Sequence, residues 1–134
     1  MTRPDPALFN DSLERCTASP RFLDRFYQLF MASSAEVADK FQHTDFATQK
    51  AALRVSLYIM MLAPYEGDEA RANLQRLATR HSRKQLDIKP ELYDLWLDCL
   101  IQAAKEFDPL FHGDTEMAWR VAMKEGIEFM RANY

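Results

Sequence analysis

An all-α fold is what this chain encodes, and three observations lead there. Only three of its 134 residues are glycine. Apolar residues make up 48% of the chain, enough to build a core. Those residues recur at i, i+3 and i+4 almost throughout, the period of an amphipathic helix. The length fits one domain spanning residues 1–134.

The elements follow in order. "PDP" starts a short first helix from Asp5 to about Cys16. Pro20 opens a second, with Phe22, Phe26, Leu29 and Phe30 on one face. "ASSAEV" restarts a turn with Ser34 as N-cap and leads to Phe41. A third strong helix spans about Asp45 to Leu62, its inner face reading Phe46, Gln49, Leu53, Leu57 and Met60. Pro64 and "EGDE" end it. The next helix, about 69–82, carries Leu74, Leu77, Ala78 and His81 on one side. Pro90 begins another, turning Leu92, Leu95, Trp96, Cys99, Leu100, Ala103 and Phe107 inward. "DPLFHGD" reads as a loop, and a last helix over about 115–132 buries Trp119, Ala122, Met123, Ile127 and Met130.

Composition excludes several classes. A net charge of −3 argues against a general nucleic-acid binder. No apolar run reaches the ~18 residues of a membrane span. The opening "MTRPDPALFN" lacks the basic-then-apolar order of a signal peptide, and Cys16 and Cys99 form no spaced pattern. The expectation is a reduced, cytoplasmic protein without a membrane or nucleic-acid partner.

Two inward faces carry a polar residue that packing alone does not call for. Gln49 interrupts one apolar stripe and His81 ends another. A buried amide or imidazole costs roughly 1–3 kcal/mol unless it is hydrogen-bonded or ligating. Tyr27, at the edge of the second helix's inner face, is a third polar tip able to point inward. A cofactor shared between the helices of Gln49 and His81 would account for all three. Blander readings compete: His81 as a surface histidine at a helix end, Gln49 one step of rotation from solvent, Tyr27 as a core ring with a wet hydroxyl. Arg76, Arg80, Arg83 and Lys84 read as a solvated face or, for Arg80, as a partner for a carboxylate. His43 is either exposed or close enough to Phe41 to reach a cofactor; no role attaches to His112.

The segment "HSRKQLDIKPELY" resembles the surroundings of the proximal heme-binding histidine of bacterial globins, notably flavohemoglobin heme domains and single-domain bacterial hemoglobins. "RFYQLF" followed by "EVADKF" is similar to that family's second helix and the bend after it, "QKAAL" to its distal helix, and "AWRVAM" to the start of its last helix. Phe41 lies 14 positions after Tyr27, and Ile88 lies 7 after His81, as in the family. The resemblance runs from about Ala7 to the end. It implies a three-over-three globin fold around one heme b. His81 would be the proximal iron ligand, Tyr27 and Gln49 the distal polar pair, and Leu53 the wall above the iron. Phe41 would stack on the porphyrin, Ile88 would pack beneath it, Tyr93 would approach His81, and Arg80 would pair with a propionate.

The implied activity is reversible binding of O2, with NO and CO as further ligands. Oxidation of NO by bound O2 would draw electrons from a separate reductase, since no flavin or nicotinamide domain follows. A heme-based gas sensor and a heme-free structural globin are the alternatives. One departure matters. The family's last-helix glutamate, which bonds the proximal histidine, falls here at Tyr134, and Glu125 and Glu128 come too early. A strongly anionic imidazole is therefore not expected.

Overall fold

A computed structural model describes residues 5–62 and 67–134. Among the described residues there are seven helices and no strand: α1 (Pro6–Thr17), α2 (Phe22–Ser33), α3 (Ala35–Lys40), α4 (Phe46–Leu62), α5 (Asp68–His81), α6 (Leu92–Phe107) and α7 (Gly113–Ala132). Pro64, read as a helix stop, lies outside the described residues. α7 packs on α1, α4, α5 and α6, while α6 packs on α1 and α2. Thus α1, α4 and α5 form one layer over α2, α6 and α7, with the short α3 beside α2.

Local chemistry explains most boundaries. Asp5 caps α1, its carboxylate accepting the Ala7 N–H, and Pro6 takes the first helical position. Ser34 caps α3 by accepting the Val37 N–H. Asp45 accepts the Ala47 N–H and the Thr48 hydroxyl at the start of α4, so its carboxyl is held below the usual range. α6 begins at Leu92, two residues later than the proline predicts, because Pro90 and Glu91 form a turn in which Leu92 and Tyr93 donate to Lys89 and Pro90 carbonyls. α7 begins two residues earlier than expected. His112 caps it, accepting the Asp114 N–H on Nδ1, while Thr115 reaches back to the His112 N–H. The histidine without an assigned role thus makes a capping box.

The core is aromatic at the α1–α2–α6–α7 junction. Phe9 and Phe22 meet Trp119 edge to face, and Phe107 meets Phe22 in the same way. Trp119 is fully buried, so its indole N–H needs an acceptor, and Ser12 Oγ supplies one at 2.9 Å. Ser12 passes the bond on to Asp108 at 2.7 Å, and Arg15 and the Leu110 N–H also donate to that carboxylate. This chain ties α1 to the end of α6 and to α7. Burial by itself would raise the Asp108 carboxyl. The bonds from Arg15, Ser12 and Leu110 outweigh it and hold the group below its ordinary value.

A depressed folded-state value means that the contribution is complete above the unfolded-state pKa near ~3.9 and is lost as pH falls through the folded-state value. Asp108→Ala should therefore lower stability by roughly 1–3 kcal/mol at pH 7. The gap between the parent and Asp108→Ala should shrink as the pH drops below about 4. Urea unfolding of both proteins from pH 7 to pH 3 checks this; a gap independent of pH would mean that the carboxylate acts through packing alone.

Candidate functional site

His81 is the last residue of α5 and continues its buried stripe of Leu74, Leu77 and Ala78. Its Nδ1 lies 2.8 Å from the Leu77 carbonyl. A carbonyl only accepts, so Nδ1 carries the proton and Nε2 keeps its lone pair. Burial, aided by the neighbouring Arg80 cation, pushes the imidazole below its ordinary value despite the Leu77 bond, which favours the neutral form at pH 7.

The chain after α5 folds straight back. Leu86 donates to the Arg80 carbonyl at 3.1 Å and Ile88 to the His81 carbonyl at 3.0 Å. Asp87 makes the turn with φ 51°, a left-handed conformation that Asp adopts more readily than most residues. Its carboxylate accepts the Tyr134 hydroxyl, and the Arg83 guanidinium lies 4.9 Å above the Tyr134 ring. The position that resembles the family's glutamate thus latches the turn rather than bonding to His81. Glu125 and Glu128 are exposed on α7 and line no part of the cavity.

Across from α5, Tyr27 on α2 is 3% exposed, and burial pushes its phenol up to about 12 although the Gln49 bond pulls the other way. Gln49 Nε2 donates to the Tyr27 oxygen at 3.2 Å. The phenol O–H is then free to donate elsewhere. Phe26, Phe41 and Phe46 surround the Tyr27 ring edge to face with centroids 4.9–5.4 Å away, which fixes its direction.

These groups meet in one cavity of about 490 Å³. All eight residues singled out in the sequence line it: His81, Tyr27, Gln49, Leu53, Phe41, Arg80, Ile88 and Tyr93. Burial raises the Tyr93 phenol to about 12, and the described bond of His81 goes to Leu77, not to Tyr93. His43 is exposed and does not line the cavity. Lys40 does, and its ammonium donates to the Leu86 carbonyl at 3.0 Å, which places a second cation at the edge that holds Arg80. No sequence period marks Lys40, because its approach to Leu86 is purely tertiary. Trp96, expected only as core, is half-buried and forms part of the wall.

An apolar slot with phenyl, indole and aliphatic walls, two cations and one neutral imidazole fits a large flat apolar ring that bears carboxylates and a metal. Imidazole is a good ligand for iron, and Lys40 and Arg80 match the carboxylates. No group of three or more His, Cys, Asp or Glu side chains forms a separate metal site among the described residues.

The globin family profile matches residues 24–130. A crystal structure of the Pseudomonas aeruginosa PAO1 protein PA3967, described as structurally highly homologous to a human hemoglobin, superposes with a TM-score of 0.90 at 41% identity. The match covers 96% of this chain and 97% of that one. No curated protein matches. The chain belongs to the globin family, a class of heme proteins, and has the globin fold. No helix among the described residues is long and apolar enough to cross a membrane.

Gly126 on α7 makes room for Met60. A Cβ there would overlap the sulfur and terminal methyl of Met60, which lines the cavity. Replacing Gly by Ala in a helix gains about 1 kcal/mol, while overpacking costs roughly 1–3 kcal/mol. Met60 is flexible and has a void beside it, so the overlap is relieved by rotation. Gly126→Ala should stay within about 1 kcal/mol of the parent and carry a rotated Met60 in a smaller cavity. A crystal structure of the variant tests this, and an unmoved Met60 with a displaced α7 would contradict it.

Proposed function

We propose that this globin holds one heme b through His81 and reversibly binds O2, with NO and CO as alternative ligands. The observation that carries the reading is the fixed tautomer of His81. Its proton is committed to the Leu77 carbonyl, so Nε2 is a lone-pair donor in the same cavity as the Tyr27–Gln49 pair. Heme iron, when bound, supplies an open coordination position for a diatomic gas. The chain's own residues do the rest. Tyr27 offers its free O–H to the partly negative end of a polarised ligand. Gln49 orients that phenol, and neither group brings a charge that would have to be desolvated. Leu53 and Phe41 keep water from the distal wall. Lys40 and Arg80 receive the propionates, and Ile88 and Tyr93 pack on the proximal side.

Family membership and the PA3967 likeness support the heme. NO oxidation by the O2-loaded protein is proposed as an accompanying reaction. It needs electrons from a separate reductase to repeat.

His81→Ala should abolish stable heme uptake or leave a protein that is loaded only when imidazole is added. His43→Ala and His112→Ala should keep the Soret band. Absorption spectra of oxidised, reduced and CO-treated protein decide the matter, and a His81→Ala spectrum identical to the parent's would sink the assignment.

Tyr27→Phe should speed O2 dissociation about tenfold or more, because a hydrogen bond to a charged acceptor is worth roughly 1.5–3 kcal/mol. Gln49→Leu should have a similar or smaller effect, and CO, being less polarised, should respond less to both. Flash photolysis and stopped flow give the rates; equal changes for the two gases would show that the side chains act by bulk.

The O2-loaded protein should consume NO once per heme. Turnover with NADH alone should be negligible and should begin when a flavin reductase is added. Sustained NADH-driven turnover without a second protein would refute the dependence on a reductase.

A further inference from the structure

The outer face of α5 carries a second recess, an open groove of about 360 Å³ lined by Gln75, Arg76, Thr79, Arg80 and Gln85. Arg76 and Arg80 are one helical turn apart, so their like charges oppose each other. The chain has 20 acidic and 17 basic residues, and its described ion pairs use Arg15, Arg25, Lys50, Lys89, Lys105, Arg120 and Arg131. Neither groove arginine meets a carboxylate among the described residues. Among the described residues Arg76 bonds the neutral Asn73 side chain.

The neutral members are arranged beside the two cations. Gln75 Nε2 donates to Thr79 Oγ1 at 3.2 Å, which leaves the threonine O–H as a donor. Gln85 is held at the end of the groove because its N–H donates to Ser82 at 3.0 Å and the following Leu86 N–H donates to the Arg80 carbonyl at 3.1 Å. Arg83 is turned away onto the Tyr134 ring and takes no part. Two guanidinium groups, a hydroxyl and amide side chains lining one recess are the chemistry that recognises a phosphate oxyanion. Arg80 is the one residue that lines both this groove and the heme cavity.

We propose that the groove on α5 binds a phosphate-class oxyanion, and that Arg80 couples its occupancy to the heme cavity. A guanidinium engaged by an outer anion is withdrawn from a propionate at the cavity mouth. Anion and heme therefore oppose each other, and by linkage the opposition is reciprocal. This second half rests on the heme reading above; the anion site does not.

Calorimetric titration of the heme-loaded protein with pyrophosphate, at ionic strength held constant with chloride, tests the site. Saturable binding of one pyrophosphate is expected, and Arg76→Gln should weaken it about tenfold or more without moving the Soret band. Parent-like affinity in Arg76→Gln, or heat no greater than that of chloride, would overturn the site and leave the cations as a screened surface field. The rate of heme transfer to excess apo-globin tests the coupling. Pyrophosphate should raise that rate severalfold in the parent and not in Arg76→Gln. Binding without a change in transfer rate would overturn the coupling and leave the site standing. A chain that takes up no heme would sink the function proposed above, while the same pyrophosphate titration of the heme-free chain would still read the groove.

Discussion

The hydrogen bond between His81 Nδ1 and the Leu77 carbonyl is the constraint around which the proximal half of the molecule is arranged. Imidazole has two nitrogens, and a ligand needs one of them free, unprotonated and aimed. Committing the Nδ1 proton to a carbonyl one turn back fixes all three conditions at once. The bond is available because His81 is the final residue of α5, where a side chain can reach back along its own stripe. The chain must then leave without unwinding that turn. It does so through the Leu86–Arg80 and Ile88–His81 backbone bonds and the left-handed Asp87, and Tyr134 secures Asp87 from the end of α7.

The distal half obeys a different rule. Tyr27 and Gln49 sit on separate helices and would each be costly in an apolar slot. Bonding to one another satisfies part of each group's demand, and the three phenyl edges around Tyr27 remove its alternative orientations. What remains is a single phenol proton with a defined direction. A cavity of this size next to a close-packed core invites collapse. The resistance comes from remote parts of the fold. The Trp119–Ser12–Asp108–Arg15 chain locks α1 to α6 and α7, and Gly126 lets α4 and α7 approach with only the Met60 side chain between them.

The helix pattern was legible because apolar periodicity is a local property that burial then selects. Leu53, Leu57 and Met60 are buried as their spacing requires, and His81 is on the cavity side because Leu74 and Ala78 put it there. Gln49 and Tyr27 could be noticed as polar residues on apolar faces, but their mutual bond is a tertiary fact. Most features that escaped the sequence are of this second kind. Lys40 meets Leu86 across 46 positions, Tyr134 meets Asp87 across 47, and Ser12 meets Asp108 across 96. No window along the chain contains both partners. His112 was missed for another reason: histidine is an uncommon N-cap, and Asp114, a commoner one, stands two residues later and points to the later start expected for α7.

Charge around the proximal imidazole decides what kind of globin this is. A carboxylate accepting the Nδ1 proton would make the ring more electron-donating, whereas a carbonyl leaves it an ordinary neutral base. Here the acceptor is the carbonyl, and the charged residue whose field reaches His81 is the cation Arg80, which works in the opposite sense to a carboxylate. Tyr93 adds a phenol that burial keeps neutral. The polar group lies instead on the other side of the slot, where the Tyr27 hydroxyl is held by Gln49. On the reading proposed above, Tyr27 would favour a polarised ligand by donating to it, with Gln49 orienting the phenol. On that same heme reading, the division, a plain base below and a directed donor above, would suit holding O2 better than cleaving it.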